Sequence, residues 1–359
     1  MTLPNPLLLG LELSGTGAHP ASWRRADSRA EDLFTAGYWL DALTAADTAG
    51  VDFAFLPDSF ALQPEGAIGR LEAVGIAARA ASATHRIGVI PQAPVTHTEP
   101  FHISKAVASL DFATYGRAGW EVTVSHGQSK LFGRKGEQDE TSLWHEADEA
   151  IEVVTRLWDS WEDDAEIRDR ATGRFIDRDR LHYIDFAGDN FSVKGPSITP
   201  RPPQGQPLVA VRAADPRSTR VAVHRADLIR ISAADLTGAA HLRSELRSAA
   251  AAAGRDPNLV RVLVDIDVHV ATTAERAASD VAQLEAWSPT QAPNALRHIG
   301  TARTLRELLA EVRRECAGDG VVLRPLALAA FTDHLPRLTP TLRDRLGLPR
   351  PANRYATTA

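Results

Sequence analysis

The segment 94–125, PVTHTEPFHISKAVASLDFATYGRAGWEVTVS, contains a complete helix between the ends of two strands. Four apolar residues of this helix recur at the spacing of one helical face: Ile103, Ala106, Val107 and Leu110. The residues at 98–100 suit its first turn, because a hydroxyl can cap a helix and a proline there leaves no N–H unsatisfied. After the YGRAG turn, apolar and polar residues alternate over 120–124, which is typical of a strand. The segment therefore predicts the crossover unit of a parallel sheet.

The same alternation of strand and helix extends along the whole chain. Short apolar runs predict strands at 7–13, 52–59, 86–95, 120–124, 206–213, 226–232, 260–271 and 320–326. Besides the helix after residue 98, helical periodicity occurs at 37–50, 69–84, 141–161, 216–225, 235–254, 273–286 and 302–316. This pattern predicts an α/β fold, a (β/α)8 TIM barrel with insertion loops. A doubly wound open sheet is less well supported, because no G-x-G-x-x-G or G-x-x-x-x-G-K-[ST] motif follows a predicted strand.

The chain is interpreted as a single barrel domain over residues 1–359. Outside the regular pattern lie an insertion at about 162–205 and a C-terminal tail at about 340–359. The insertion is either a solvated outer loop or a lid over a substrate, since long loops in compact domains are often functional. In the loop after the first strand, Trp23 and Arg24 are candidates for the rim of a substrate entrance.

Composition and charge exclude several classes of function. The formal net charge of -6 argues against a protein that binds nucleic-acid phosphates non-specifically. Cys316 is the only cysteine, so a disulfide within the chain and a cysteine metal cluster are excluded. The sequence has neither a basic leader nor a run of about 20 apolar residues, and no H-E-x-x-H motif occurs. We therefore expect a cytoplasmic protein without a membrane, nucleic-acid or metal site.

Polar residues cluster where three consecutive predicted strands end. In a TIM barrel the loops after the strands meet at one face, where active sites lie. The loops PDS, THTEPFH and SHGQSK belong to this face, and the residues they bring there with the fourth strand are Asp58, Thr96, His97, Glu121 and Ser125. This convergence favours an active site over solvated loops. Taken singly, Asp58 is also explained as a turn or helix cap, and His97 as a structural hydrogen-bonding group.

The segment THTEPFHISKAVASLDFATYGRAGWEVTVS resembles the bacterial luciferase-like flavin-dependent monooxygenases, in particular their nitrilotriacetate monooxygenase branch. DFAFLPDS, EAIEVVTRLWDSWEDDA, PRPPQGQPLV and LRDRLGLPRPANRYA extend the resemblance, in the same order, over nearly the whole chain. It implies the oxygenase component of a two-component monooxygenase. Such an enzyme receives reduced FMN from a separate NAD(P)H-dependent flavin reductase and uses O2 to oxygenate a small organic substrate. It also implies a homodimer.

The resemblance assigns roles to the clustered residues. Asp58 matches an aspartate near the flavin ring, and Thr96 and Ser125 match hydroxyl groups close to it. His97 is a catalytic candidate, because a histidine with a pKa near neutrality can orient a peroxide or a substrate oxygen. Glu121 stands where the family usually has asparagine. Its carboxylate would repel a reduced, anionic flavin unless it is paired or protonated, and it is also a candidate base.

The clearest departures from the family lie in one helix and in the loop with which the family holds the flavin phosphate. In the helix at 141–161, Trp144 replaces a tyrosine and Glu146 an arginine. Trp144 can still stack against a cofactor, but a hydroxyl donor is lost. The glycine- and serine-rich loop after the fifth strand is RAADPRST here, so Ala214 stands for a glycine and Pro216 has no N–H to donate.

Two readings of this altered loop stay open. Either an anion site is rebuilt, since guanidinium groups suit phosphate, or phosphate binding is weakened or lost. The residues that would rebuild the site are Arg212, Arg217, Ser218 and Thr219. Two alternative functions stay open beside the monooxygenase. The resemblance also covers F420-dependent oxidoreductases on the same barrel, and a lost phosphate loop would fit a non-catalytic partner subunit.

Overall fold

Strands and helices alternate in the computed structural model, which describes residues 7–133, 135–290, 295–332 and 351. The strands are β1 Leu8–Glu12, β2 Phe53–Leu56, β3 Gly88–Pro94, β4 Gly119–Thr123, β5 Glu166–Asp169, β6 Arg174–Ile176, β7 Phe186–Ala187, β8 Ser192–Val193, β9 Leu208–Arg212, β10 Leu228–Ile231, β11 Arg261–Val270, β12 Leu296–Gly300 and β13 Gly320–Pro325. The α-helices are α1 Ala36–Ala49, α2 Ala73–Ala80, α3 Pro100–Thr114, α4 Ser129–Phe132, α5 Glu140–Asp159, α6 Pro216–Arg225, α7 Leu236–Ala252, α8 Ala274–Trp287 and α9 Ala302–Arg314.

Eight parallel strands close into a barrel. Around the barrel their order is β1, β2, β3, β4, β9, β10, β11 and β13. The ring closes because β10 pairs with β11 and β13 pairs with β1, with Leu228 opposite Arg261 and Gly320 opposite Leu8. The predicted (β/α)8 barrel is confirmed, and each predicted strand corresponds to one of these eight.

The apolar residues pack in two regions, as the alternation of side chains along strands requires. A small cluster combines residues from seven barrel strands and fills the barrel interior: Leu8, Phe53, Phe55, Ile90, Leu208, Ala210, Leu228, Leu263 and Val322. The larger cluster lies between the strands and the surrounding helices. Trp120 on β4 belongs to it, fully buried, and its indole N–H donates to the carbonyl of Ala93 at 3.0 Å.

Outside the insertion at 162–205, one strand and one α-helix were absent from the prediction, and both are short. Strand β12 pairs with the second half of β11, from Ile266 opposite Leu296 to Val270 opposite Gly300. Its sequence, LRHIG, is interrupted by two basic residues and is mostly half-buried, so it lacks the apolar run that marks the barrel strands. Helix α4 spans four residues, too few for a periodic pattern.

The insertion at 162–205 forms two small hairpins, β5–β6 and β7–β8. The second one packs on the outer surface of α5, where Ile184 joins Val153 and Leu157 in an apolar cluster. Trp161 anchors the segment, because its indole N–H donates to the carbonyl of Ser197 at 2.7 Å. The predicted tail at about 340–359 lies outside the described residues except for position 351.

Candidate active site

A fully buried arginine, Arg230 of β10, lies inside the barrel and binds three carboxylates from three other strands. Its guanidinium nitrogens lie 2.6 Å from Glu12 Oε2, 2.9 Å from Glu121 Oε1 and 3.0 Å from Asp265 Oδ1. The guanidinium also lies over the ring of Phe55, 4.4 Å from its centroid. Because each carboxylate comes from a different strand, this cluster ties β1, β4, β10 and β11 together.

Two further arginines extend the cluster toward solvent. Arg212 contacts Glu12 Oε2 at 3.1 Å and Asp265 Oδ2 at 2.7 Å. Arg324 contacts Glu12 Oε1 at 3.3 Å and Asp267 Oδ1 at 3.3 Å. Both side chains are partly exposed, unlike Arg230. The charged network defined by these residues is called the mouth cluster below: Glu12, Glu121, Arg212, Arg230, Asp265, Asp267 and Arg324.

Burial and neighbouring charges act in opposite directions on the pKa values of this cluster. Burial alone would raise the pKa of Glu12, but Arg230, Arg212 and Arg324 hold it well below its ordinary value. Burial would lower the pKa of Arg230, but Asp265, Glu121 and Glu12 raise it. Glu12 and Arg230 are therefore both charged at neutral pH. Asp267 differs, because burial raises its pKa more than Arg324 lowers it.

Glu121, a catalytic candidate, is paired at both of its oxygens. Arg230 Nη1 donates to them at 2.9 and 3.2 Å, and Gln92 Nε2 donates to Oε2 at 2.7 Å. Gln92 Oε1 accepts the backbone N–H of Asp58 at 2.9 Å, so Gln92 connects the loop after β2 to β4. The carboxylate of Asp58 accepts the N–H groups of Ser59 and Ala73, as a turn and helix-capping residue does.

The loops after β2, β3 and β4 meet around His97. Its ring stacks on Phe132 of α4, with centroids 4.4 Å apart and planes at 12°, and Phe60 lies beside it. Thr96 Oγ1 accepts the N–H of Ser125 at 2.8 Å, and both residues are buried. The structure thus brings the five clustered residues of the prediction to one region of the barrel mouth. Their catalytic and cofactor-binding roles stay predictions.

The loop between β9 and α6 is closed by its own side chains. Ser218 Oγ accepts the N–H groups of Ala214 and Asp215 at 3.1 and 3.0 Å and donates to the Asp215 carboxylate at 2.7 Å. That carboxylate accepts the N–H groups of Arg217 and Ser218, which completes a capping box. Thr219 donates its N–H to the carbonyl of Asp215. The backbone donors of the loop are therefore already satisfied.

The two arginines predicted for a phosphate site, and the two α5 residues that differ from the family, do not converge on this loop. Arg212 belongs to the mouth cluster, and Arg217 donates to Thr141 Oγ1 at 2.9 Å on the outside. Trp144 is half-buried against the apolar core. Glu146 is buried and accepts from Lys135 and Gln138.

A cavity of about 370 Å³ opens beside the mouth cluster, between the loops after β1 and β2 and the end of β13. Arg324 belongs to both the cavity wall and the cluster. The cavity is lined by Pro57, but Asp58, Thr96, His97, Glu121 and Ser125 are not among its lining residues. This cavity thus lies on the β1–β2 side of the predicted residues.

Sequence reasoning missed most of the mouth cluster, although a signal was present. Glu12 in LLGLE, Arg230 in LIRI and Asp265 in RVLVDIDVHV are charged residues in strands that are mostly apolar. A charge at such a position must be paired when the strand is buried. The signal predicts a buried ion pair but does not identify the partners.

Comparisons with known proteins agree with this fold. The family model for luciferase-like monooxygenase matches residues 16–325. The chain is 33% identical to N-acetyl-S-(2-succino)cysteine monooxygenase of Bacillus subtilis (strain 168) over 77% of this chain and 64% of that protein. It is 31% identical to nitrilotriacetate monooxygenase component A of Aminobacter aminovorans over 75% of this chain and 63% of that protein. The matched region thus spans less than two thirds of either relative.

A solved structure provides a comparison of the fold alone. EDTA monooxygenase from Chelativorans sp. BNC1 superimposes with a TM-score of 0.84 at 21% identity, over 96% of this chain and 99% of that one. Among the residues that the structure describes, no helix is long and apolar enough to cross a bilayer.

Proposed function

The chain belongs to the luciferase-like monooxygenase family, and from this premise we propose that it is the oxygenase component of a two-component flavin-dependent monooxygenase. A separate NAD(P)H-dependent flavin reductase supplies the reduced flavin, FMN in this proposal, and O2 is the co-substrate. The substrate is a small organic molecule. We further propose that the protein is a cytoplasmic homodimer. Light scattering of the purified protein tests whether it is a dimer.

One observation supports the proposal above all others: the loops after β2, β3 and β4 join at the barrel mouth beside a cavity of about 370 Å³. Catalytic residues of TIM barrels lie at this face. Glu121, whose charge would repel an anionic flavin, is neutralised by Arg230. The flavin supplies the activation of O2, and the protein orients the reactants and excludes water.

The residues present fit the ring end of an FMN molecule better than its phosphate end. At the ring end, the mouth offers the buried Thr96 and Ser125 and the paired Gln92. At the phosphate end, the residues do not fit, because Asp215 and Ser218 occupy the N–H donors that a phosphate would need. This closed loop favours a second candidate function, a non-catalytic partner subunit.

Flavin titration followed by oxygen consumption tests the proposal. We expect reduced flavin to quench protein fluorescence with a Kd below about 10 µM, and O2 uptake to require both a flavin reductase and a substrate. No binding in either redox state far above that concentration would overturn the proposal. Binding of reduced F420 without oxygen consumption would support the F420-dependent alternative instead.

Two substitutions distinguish the hypothesis of a catalytic component from that of a non-catalytic partner subunit. Asp58→Ala and Thr96→Ala change residues at the mouth, so we expect both to lower oxygenation if the chain is the catalytic component. If both variants keep full function in the assembled system, the partner-subunit alternative is supported.

A further inference from the structure

The cavity beside the mouth cluster has the size and lining of a site for a small organic molecule. Its volume of about 370 Å³ lies within the range of known ligand pockets. Apolar side chains form one part of its wall: Leu13, Leu33, Phe34, Trp39, Leu56 and Ile76. Polar side chains form another part, and they include Ser14, Thr16, His19 and Gln63. Such a lining suits a ligand with an apolar body and a polar group.

Three residues of charged types line this cavity, and two of them have partners. Arg324 is paired with Glu12 and Asp267. Glu65 accepts a hydrogen bond from Ser288 Oγ at 2.9 Å. Arg70 has no ion pair with a carboxylate among the described residues, and its Nε atom is buried without a hydrogen-bond partner there. A buried guanidinium donor without a partner is costly, so the site is incomplete without an acceptor.

His19 also lines the cavity, and its ring carries a second buried donor. The residue is 2% exposed, and its Nδ1 accepts the N–H of Ala21 at 3.1 Å, so its proton resides on Nε2. Nε2 has no hydrogen-bond partner among the described residues, and Glu285 Oε1 lies 3.7 Å away. Burial lowers the pKa of His19, so the ring is neutral at pH 7 and donates one hydrogen bond without adding charge.

We propose that this cavity binds the carboxylate of a small organic anion. We call it the Arg70 pocket and define it by the lining residues Leu13, His19, Leu56, Arg70 and Ile76. The carboxylate pairs with Arg70 and accepts from His19 Nε2, while the apolar part of the ligand contacts Leu13, Leu56 and Ile76. This inference rests on the proposed function only in taking the ligand to be the substrate.

The charges of the lining favour a monoanion. A guanidinium group binds a carboxylate through two parallel hydrogen bonds. A dianionic phosphate would meet one arginine that has no ion pair among the described residues, with Glu65 in the lining and Glu285 3.7 Å from His19 Nε2. This balance disfavours a second negative charge.

Calorimetric titration with hexanoate and its neutral analogue hexanamide tests the Arg70 pocket. Both probes have the same apolar chain and differ only in the head group, which is a charged carboxylate in one and a neutral amide in the other. We expect hexanoate to bind at least tenfold more tightly than hexanamide, because a charge-assisted pair with arginine is worth about 1.5–3 kcal/mol, or roughly 10- to 100-fold. In Arg70→Met we expect hexanoate to lose at least that tenfold advantage, while the affinity for hexanamide stays unchanged.

Two variants provide controls. Arg79→Met removes an exposed arginine from α2 that does not line the cavity, so hexanoate binding should stay as in the wild type. Arg70→Lys keeps the charge without the fork and should bind hexanoate with intermediate affinity. Arg70 is partly exposed, so both substitutions at this position should fold, and thermal melting checks this.

Any of three results would overturn the inference. They are equal affinity for the two probes, no hexanoate binding at about 10 mM, and equal losses of hexanoate affinity in Arg70→Met and Arg79→Met. The titration uses no flavin, reductase or O2. If the protein binds hexanoate through Arg70 but fails to bind flavin, the proposed function is contradicted and the inference about the Arg70 pocket is still supported.

Discussion

At the scale of single residues, the most consequential position is Arg230. Its side chain is fully buried, yet its charge is retained because Glu12, Glu121 and Asp265 surround it. A buried charge cluster adds little stability relative to apolar residues of the same shape, but removing one partner leaves the others uncompensated. The cluster therefore makes the barrel depend on a single guanidinium group.

Arg230→Met tests this dependence. The substitution would leave three carboxylates facing each other inside the barrel, with Arg212 and Arg324 at their solvent side. We expect a loss of about 3–5 kcal/mol in the free energy of unfolding, measured by urea denaturation at pH 7. The matched control is Arg303→Met, which removes an exposed arginine paired with Glu307 and should shift the urea midpoint far less. Similar shifts in the two variants would contradict the prediction.

The residues of the mouth show what a sequence can predict about a site. The convergence of Asp58, Thr96, His97, Glu121 and Ser125 followed from strand order alone, because loops after parallel strands meet at one face. Pairings such as Glu12 with Arg230 bridge 218 positions along the chain. They could not be predicted, because they depend on which strands face each other after the barrel closes.

At the scale of elements, the junction of β9 and α6 decides how a flavin would be held. The sequence DPRS at 215–218 places an acceptor at the N-cap and a hydroxyl three residues later, and the structure forms a capping box from them. The sequence identified the loss of the family's glycine and serine residues. It did not reveal that the new residues satisfy the loop from within.

This closed loop predicts that the flavin phosphate contributes little to binding. We expect the wild-type chain to bind FMN and riboflavin with Kd values within about threefold of each other, since no free loop donor meets the phosphate. Asp215→Ala removes a negative charge and releases the N–H groups of Arg217 and Ser218. We expect it to favour FMN over riboflavin by roughly tenfold, in fluorescence titrations of both flavins.

The control for this titration is Asp235→Ala, which removes the same type of cap from α7, where the Asp235 carboxylate accepts the N–H of Gly238. Each variant should lose about 0.5–2 kcal/mol of stability, but the control should not change the preference between FMN and riboflavin. A wild-type preference for FMN of tenfold or more would show that a phosphate opens the loop.

At the scale of the whole molecule, the barrel interior consists of an apolar region and a charged one. The mouth cluster draws its members from six of the eight barrel strands: β1, β4, β9, β10, β11 and β13. The apolar region could be inferred from the sequence, because each strand carries its own apolar run. The charged region could not, because its balance of three arginines and four carboxylates exists only after all six strands are in place.

The sign of the pKa shifts in this cluster predicts how stability depends on pH. The pKa of Glu12 in the folded chain is well below its ordinary value of 4.5, so its stabilising contribution is present above that value and is lost as the pH falls below it. Asp267, whose pKa is raised from 3.8, acts in the opposite sense and offsets part of this loss. Arg230 has a raised pKa but stays protonated throughout the acidic range.

We therefore expect the urea midpoint of the wild type to fall as the pH is lowered from 5 to 3. The midpoint should fall less steeply with pH in Glu12→Gln than in the exposed control Glu307→Gln. Parallel pH profiles for these two variants would mean that Glu12 is not held ionised by the arginines around it.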